Sequence, residues 1–217
     1  MSSYTLIIGN KNYSSWSLRP WIWMKQAGIP FNEKRVALFT ESYRDELRPY
    51  RSDHRVPVLL DGEFQVWDTI AILEYLAETY PGANGWPQDT RARAVARSVS
   101  AEVHSSFIAL RNAMPMNCRK RFPNYRFDEN VRADVDRVIA LWDYCRTDYG
   151  EGGEWLFGSY SIADAMFAPI VLRFNSYDVA VNGVAEDYMH TTLADRHIQD
   201  WIAAGRLEKE VIAEDEV

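Results

Sequence analysis

Tyr13-Ser14-Ser15-Trp16-Ser17-Leu18-Arg19-Pro20 separates two apolar stretches of different character. Before it, Tyr4 to Ile8 is a short apolar run that reads as a strand. After it, Trp21-Ile22-Trp23-Met24-Lys25-Gln26-Ala27 reads as a helix stopped by Gly28. Three serines therefore lie where a strand hands over to a helix N-terminus. The free N–H groups and the positive dipole end at such a place stabilise an anion. A serine hydroxyl there either caps the helix or donates to a bound thiolate or carboxylate. With Ser17 as the cap, Pro20 falls at the third helical position, where no intrahelical N–H is needed. With Ser15 as the cap, Pro20 removes one helical bond. Ser17 is the preferred cap, which leaves Ser14 and Ser15 in the loop, free to face a ligand.

Outward from this stretch, a turn at Gly28–Pro30 leads to Glu33–Leu38, read as a second strand. Strand, helix, strand implies a right-handed crossover between parallel strands. Thr40 to Arg55 is polar and reads as irregular with a short helix. Val56-Pro57-Val58-Leu59-Leu60 and Phe64-Gln65-Val66 flank Asp61-Gly62, a hairpin signal. Pro57 marks a strand start, an edge or a cis turn. Then Asp68 or Thr69 caps a helix whose apolar positions are Ile70, Leu73 and Leu76–Ala77.

Tyr80 to Thr90 is rich in Pro and Gly and reads as a linker. Beyond it the pattern is helical. Thr90 to Met114 reads as one long helix, with Ala92, Val95, Ala96, Val99 and Val103 on one stripe. His104, Phe107, Ile108 and Arg111 share a neighbouring face. Val131, Val135, Val138, Trp142 and Cys145 form a second stripe. Ser161 and Asp164 form a capping-box-like start for the run Ala165–Leu172. A last helix surrounds Trp201, and the charged end from Glu208 to Val217 reads as frayed. The expectation is α/β + all-α: residues 1–80 an α/β domain, 81–90 a linker, and 91–217 an all-helical domain.

The formal net charge of −7 and the pI of about 5.2 argue against nucleic acid and anionic membranes as partners. An acidic ligand would need a local basic patch, for which Lys11, Arg19, His54 and Arg55 are candidates. No segment reads as a signal peptide or a membrane span, so a cytoplasmic protein is expected. Cys118 and Cys145 make neither a disulfide framework nor a C-x-x-C pair. No metal site is read.

In four places, all in one order, the chain resembles the cytosolic glutathione S-transferases. Ser14-Ser15-Trp16-Ser17-Leu18-Arg19 is similar to the Ser-Ser-Cys-Ser motif of the zeta class. Arg55-Val56-Pro57-Val58-Leu59 matches the family's valine followed by a cis-proline. Asp68-Thr69-Ile70-Ala71-Ile72-Leu73-Glu74-Tyr75-Leu76 resembles its Glu/Gln-Ser and Ile-Leu-x-Tyr-Leu, and Gly158 to Asp164 its capping signature. The resemblance implies a thioredoxin-like N-terminal domain, a helical C-terminal domain and a homodimer. Glutathione is the implied co-substrate, with no metal. Val56, beside Pro57, would pair with the extended tripeptide like an added strand. Asp68 and Thr69 would hold its γ-glutamyl end, with His54 and Arg55 alongside. Ser14 or Ser15 would donate to the sulfur and favour the thiolate. The second substrate, a small hydrophobic electrophile, is expected between the domains. Trp16, His104, Phe107 and Arg111 either line that space or serve as core and surface. Met114, Met116 and Trp67 are pocket or packing. Trp16 stands for the zeta-class cysteine, and Asp68 for the family's Gln or Glu. Ser176 occupies the place of a zeta-class isomerase arginine, with Arg173 about one turn earlier.

Three function classes follow. The first is a glutathione transferase, with a cis–trans isomerase as a variant in which Arg111 or Arg173 holds a substrate carboxylate. The second is a non-catalytic ligand-binding protein of the same fold. The third, a disulfide oxidoreductase, lacks its cysteine pair.

Overall fold

A computed structural model describes residues 4–217. β1 (Tyr4–Ile8), α1 (Ser15–Gln26) and β2 (Phe31–Arg35) form the crossover unit, with β1 and β2 parallel in register from Tyr4 opposite Phe31 to Ile8 opposite Arg35. β3 (Val58–Asp61) runs antiparallel to β1 and forms a hairpin with β4 (Phe64–Trp67). Gly62 supplies the left-handed backbone of the turn, φ 59°. The sheet order is β2-β1-β3-β4. A short α2 (Tyr43–Leu47) precedes β3, and α3 (Thr69–Thr79) follows β4. The expected second strand is displaced: it begins at Phe31 because the β1 register fixes its partner. Its middle is exposed and polar, as a sheet edge permits.

The remainder is helical: α4 (Thr90–Ser105), α5 (Ile108–Ala113), α6 (Glu129–Tyr149), α7 (Ile162–Ser176), α8 (Val184–Ala194) and α9 (Arg196–Leu207). The helix α7 is almost wholly buried and packs on α1, α4 and α8, so it forms the common core of the two halves. Its capping box is complete, with both the Ser161 and the Asp164 side chains engaged.

Four expectations need correction. The first helix begins at Ser15 with Ser14 at the cap position, not Ser17. Pro20 then lies inside the helix and cannot donate to the Trp16 carbonyl. Thr69 fills that gap, its hydroxyl donating to the Trp16 oxygen at 3.1 Å. The long helix from Thr90 to Met114 is broken at Phe107, which has φ 60°. Asp134 of α6 accepts the Leu110 N–H at 3.0 Å and so caps α5 from outside it. The break separates His104 from Ile108 and Arg111, so the expected common face does not exist. α8 was not anticipated.

The fourth correction concerns the charged end. Glu208 accepts the N–H groups of Lys11 and Asn12 at 2.8 and 3.0 Å. Arg119 donates to the Glu208 and Glu210 carbonyls at 2.6 and 3.0 Å. Lys120 pairs with Glu216 at 2.5 Å, and Ile212 is buried. This strap lies against the loop between β1 and α1. Gly205 permits the approach: a Cβ there would sit 3.0 Å from the Asn12 nitrogen.

Candidate functional site

The loop from Gly9 to Ser14 carries the chain from the sheet into α1. Ser14 has φ −77° and ψ 82°, and the Ser15 N–H donates to the Tyr13 carbonyl at 2.8 Å, an inverse γ-turn centred on Ser14. The turn aims the two hydroxyls differently, and neither is free of partners as expected. Ser14 donates to Ser17 Oγ at 2.7 Å, and Ser17 Oγ also accepts the Gly9 N–H at 3.1 Å. Ser15 Oγ instead accepts from Arg173 Nη2 at 3.2 Å. The single proton of Ser14 is therefore committed within the loop. The Ser15 proton is not used by any hydrogen bond among the described residues.

Two adjoining cavities share Trp16, Asp53, Arg55 and Val56. The first, of about 500 Å³, holds Ser14, Ser15 and His54 on its walls. The second, of about 670 Å³, holds Pro57, Asp68, Thr69 and His104. The Val56–Pro57 bond is cis, and Val56 lies outside the β3–β4 ladder, which starts at Val58. Its main chain thus lines both cavities without a strand partner in that ladder. Asp68, at φ 73°, caps α3 by accepting the Ile70 and Ala71 N–H groups. Its other oxygen lies 3.4 Å from His104 Nε2. The Thr69 hydroxyl is the one that serves Trp16.

Trp16 is the wall between the cavities. The Arg19 guanidinium lies 4.3 Å from its ring centroid and that of Arg111 4.8 Å, while the His104 ring meets it edge-on at 5.2 Å. Arg111 donates to the Val103 and His104 carbonyls, and Arg19 to Met166 O at 2.9 Å. Burial, then the nearby Arg111 and Arg173 guanidiniums, push the pKa of Arg19 well below the arginine range. Phe107 is buried in the core, and neither it nor Arg111 lines a cavity. Met114 and Met116 are likewise packing, whereas Trp67 lines the second cavity.

The first cavity has a wall the sequence did not disclose. The segment from Leu38 to Arg44 forms one side, with Phe39 stacked obliquely on Tyr43 at 5.5 Å. Ile212 and Asp215 of the strap form another. Burial raises the Asp215 pKa; the Arg173 charge opposes it, and Glu214 and Glu216 add to it. Nothing local in the sequence marks these residues, because the strap is placed by Arg119 and by the Lys11–Asn12 main chain. Cys118 and Cys145 are buried, and burial raises both thiols to about 12, so neither offers a thiolate near neutral pH.

This geometry can be set beside known proteins. The profile described as "Glutathione S-transferase, N-terminal domain" matches residues 13–79. A dichloromethane dehalogenase of Methylorubrum extorquens is 40% identical over 65 residues, which span 29% of this chain and 23% of that protein. A probable maleylacetoacetate isomerase of Caenorhabditis elegans is 32% identical over 194 residues, 88% of this chain and 87% of that one. Among solved structures, a glutathione transferase homolog from Burkholderia GL BGR1 with bound glutathione is 25% identical, with a TM-score of 0.70 over 94% of this chain and 98% of its own. The serine loop, the cis-proline and the capped α7 therefore lie in a chain that is similar to the Caenorhabditis elegans protein over 88% of its length and to the Burkholderia one over 94%, and the chain belongs to the glutathione S-transferase family.

Proposed function

We propose that the protein is a glutathione transferase that uses Ser15 to stabilise the glutathione thiolate for attack on a small apolar electrophile. One observation carries this reading. Ser15 stands at the N-terminus of α1 on the cavity wall, with its oxygen held and its proton uncommitted, whereas Ser14 has given its proton to Ser17. A hydroxyl donating to the anion lowers the thiol pKa. Val56 main chain would hold the peptide, and Asp68 would meet the γ-glutamyl ammonium. Arg55 and Arg44 supply positive charge toward the glycyl carboxylate, with His54 beside them on the same wall. The electrophile would lie against Phe39, Tyr43 and Ile212.

The isomerase variant is supported by the Caenorhabditis elegans relative. Against it, Arg111 and Arg173 line neither cavity, and the terminal nitrogens of Arg111 and the Nε of Arg173 are turned to main-chain carbonyls. The transferase reading is therefore preferred. An ultraviolet difference titration of bound glutathione tests it. The expected thiolate appears at least about one unit below the free thiol pKa of about 8.5. Glutathione bound only as the thiol would move the ligand-binding reading ahead. A homodimer is part of the same proposal: Phe64 is exposed on the edge strand β4, beside Tyr75, and gives that edge an apolar contact. A sedimentation mass of one chain at micromolar concentration would remove it.

A further inference from the structure

We propose that Arg173 is a positioning residue for Ser15: its buried guanidinium holds the serine oxygen as an acceptor and thereby turns the hydroxyl proton into the cleft, toward the glutathione sulfur. The inference rests on the transferase reading above.

A guanidinium has five donors and no acceptor. A hydroxyl bonded to it must present a lone pair, so the rotamers that aim its proton at Arg173 are removed. A serine beside a neutral partner keeps the choice of donating or accepting. Ser14 shows the other outcome three residues from Ser17, where its proton is spent on a second hydroxyl. The bond to Ser15 spans 158 positions in sequence and joins α7 to the first residue of α1.

Arg173 is itself held in place. Its Nε donates to Met114 O at 2.7 Å, and Nη1 reaches Pro169 O at 3.5 Å. Both acceptors are main chain, so the plane of the fork is fixed by the backbone and only Nη2 points to the serine. Arg173 is 6% exposed and makes no salt bridge among the described residues. Its charge is thus not cancelled by contact with a carboxylate. Burial and then Arg111 lower its pKa to about 10, which leaves it a cation near neutral pH. A cation bonded to the oxygen also strengthens the O–H as a donor.

A merely structural arginine would staple α7 to α1 and affect stability alone. The distinguishing readout is the apparent pKa of bound glutathione, taken by ultraviolet difference titration. The set is wild type, Arg173→Met, Arg173→Lys, Ser15→Ala and the Ser15→Ala/Arg173→Met pair, each with its fold checked by circular dichroism. Arg173→Met is expected to raise the pKa of bound glutathione by about one unit, a tenfold fall in the ratio of thiolate to thiol at a given pH. Arg173→Lys, which keeps the charge but not the fork, is expected to fall between Arg173→Met and wild type. It also serves if the methionine variant does not fold. In the pair, the pKa is expected to equal that of Ser15→Ala alone, because Arg173 acts only through that oxygen. A wild-type pKa in both arginine variants, or additive shifts in the pair, overturns the positioning role alone. Wild type that binds glutathione with no thiolate overturns the transferase reading and this inference together.

Discussion

Ser15→Ala is expected to lower kcat/KM toward an aromatic electrophile by about a hundredfold, near 2.7 kcal/mol of lost stabilisation, the usual cost of removing one donor to a reacting anion. The glutathione dissociation constant is expected to change by less than about threefold, because main-chain and charged contacts elsewhere hold the peptide. The reason for choosing Ser15 is the direction of its bonds. Its oxygen receives Arg173 and its proton has no acceptor among the described residues. Removing the hydroxyl removes the donor and leaves an arginine arm unpaired, while the loop keeps its γ-turn. Ser14→Ala removes a donor that already serves Ser17, whose oxygen still accepts the Gly9 N–H. Its effect on kcat/KM is expected to stay within about tenfold, through loss of loop order. Stopped-flow or steady-state turnover of both variants decides the matter. Full activity in Ser15→Ala with loss in Ser14→Ala would exchange the two roles and end the present assignment.

Asp164→Ala is expected to destabilise the fold by about 3–4 kcal/mol, from buried donors left without an acceptor. The Asp164 carboxylate is buried and accepts Leu156 N–H at 3.0 Å, Ser161 N–H at 2.8 Å and Ser161 Oγ–H at 3.0 Å. Alanine strands all three beneath α7, the helix both halves share. Asp164→Asn keeps one acceptor oxygen and is expected to cost about 1–2 kcal/mol. The pH dependence separates the acid from the amide, because only the acid titrates. Burial raises the folded pKa of Asp164 to about 6, above the unfolded value, against the hydrogen bonds that favour the anion. A raised folded pKa means that the native state binds the proton more tightly. That contribution is fully present below about pH 4 and is lost as pH rises through about 6. Between pH 7 and pH 5, wild type is therefore expected to gain about 1 kcal/mol relative to Asp164→Asn. Urea unfolding at the two pH values measures it, and a difference that does not change with pH would refute the role given to burial.

What the sequence disclosed and what it withheld divide along one physical line. The Asp61-Gly62 hairpin and the Ser161–Asp164 box were legible because each is closed by residues within a few positions. The stripe from Val131 to Cys145 was legible because a long amphipathic helix carries its own period. The misplaced cap at Ser17 has a different origin. Pro20 is compatible with an earlier helix start only because Thr69, 53 positions from Trp16, supplies the missing donor. The break at Phe107 is stabilised by Asp134, 24 positions from Leu110. The strap is held by Arg119 and by the main chain of Lys11 and Asn12, far from it in sequence. Within the site, Ser14, Ser15, Trp16, Val56, Asp68 and Thr69 line the two cavities. Phe107 and Arg111 do not, because the helix that was to present them stops before it reaches them.

The bond between Thr69 and the Trp16 carbonyl has a bearing on descent. A proline inside α1 is tolerated here because a hydroxyl on another helix donates in place of its absent N–H. Any lineage that replaces Pro20 with a residue carrying that hydrogen makes the hydroxyl redundant at Trp16 and releases position 69 to valine, alanine or a new ligand contact. The reverse order is costlier: losing the position 69 hydroxyl first takes that donor from the carbonyl while Pro20 still cannot replace it, at about 1–3 kcal/mol. Substitutions at the two positions are thus favoured in one order, position 20 before position 69, and reconstructed ancestors of this branch should preserve that order.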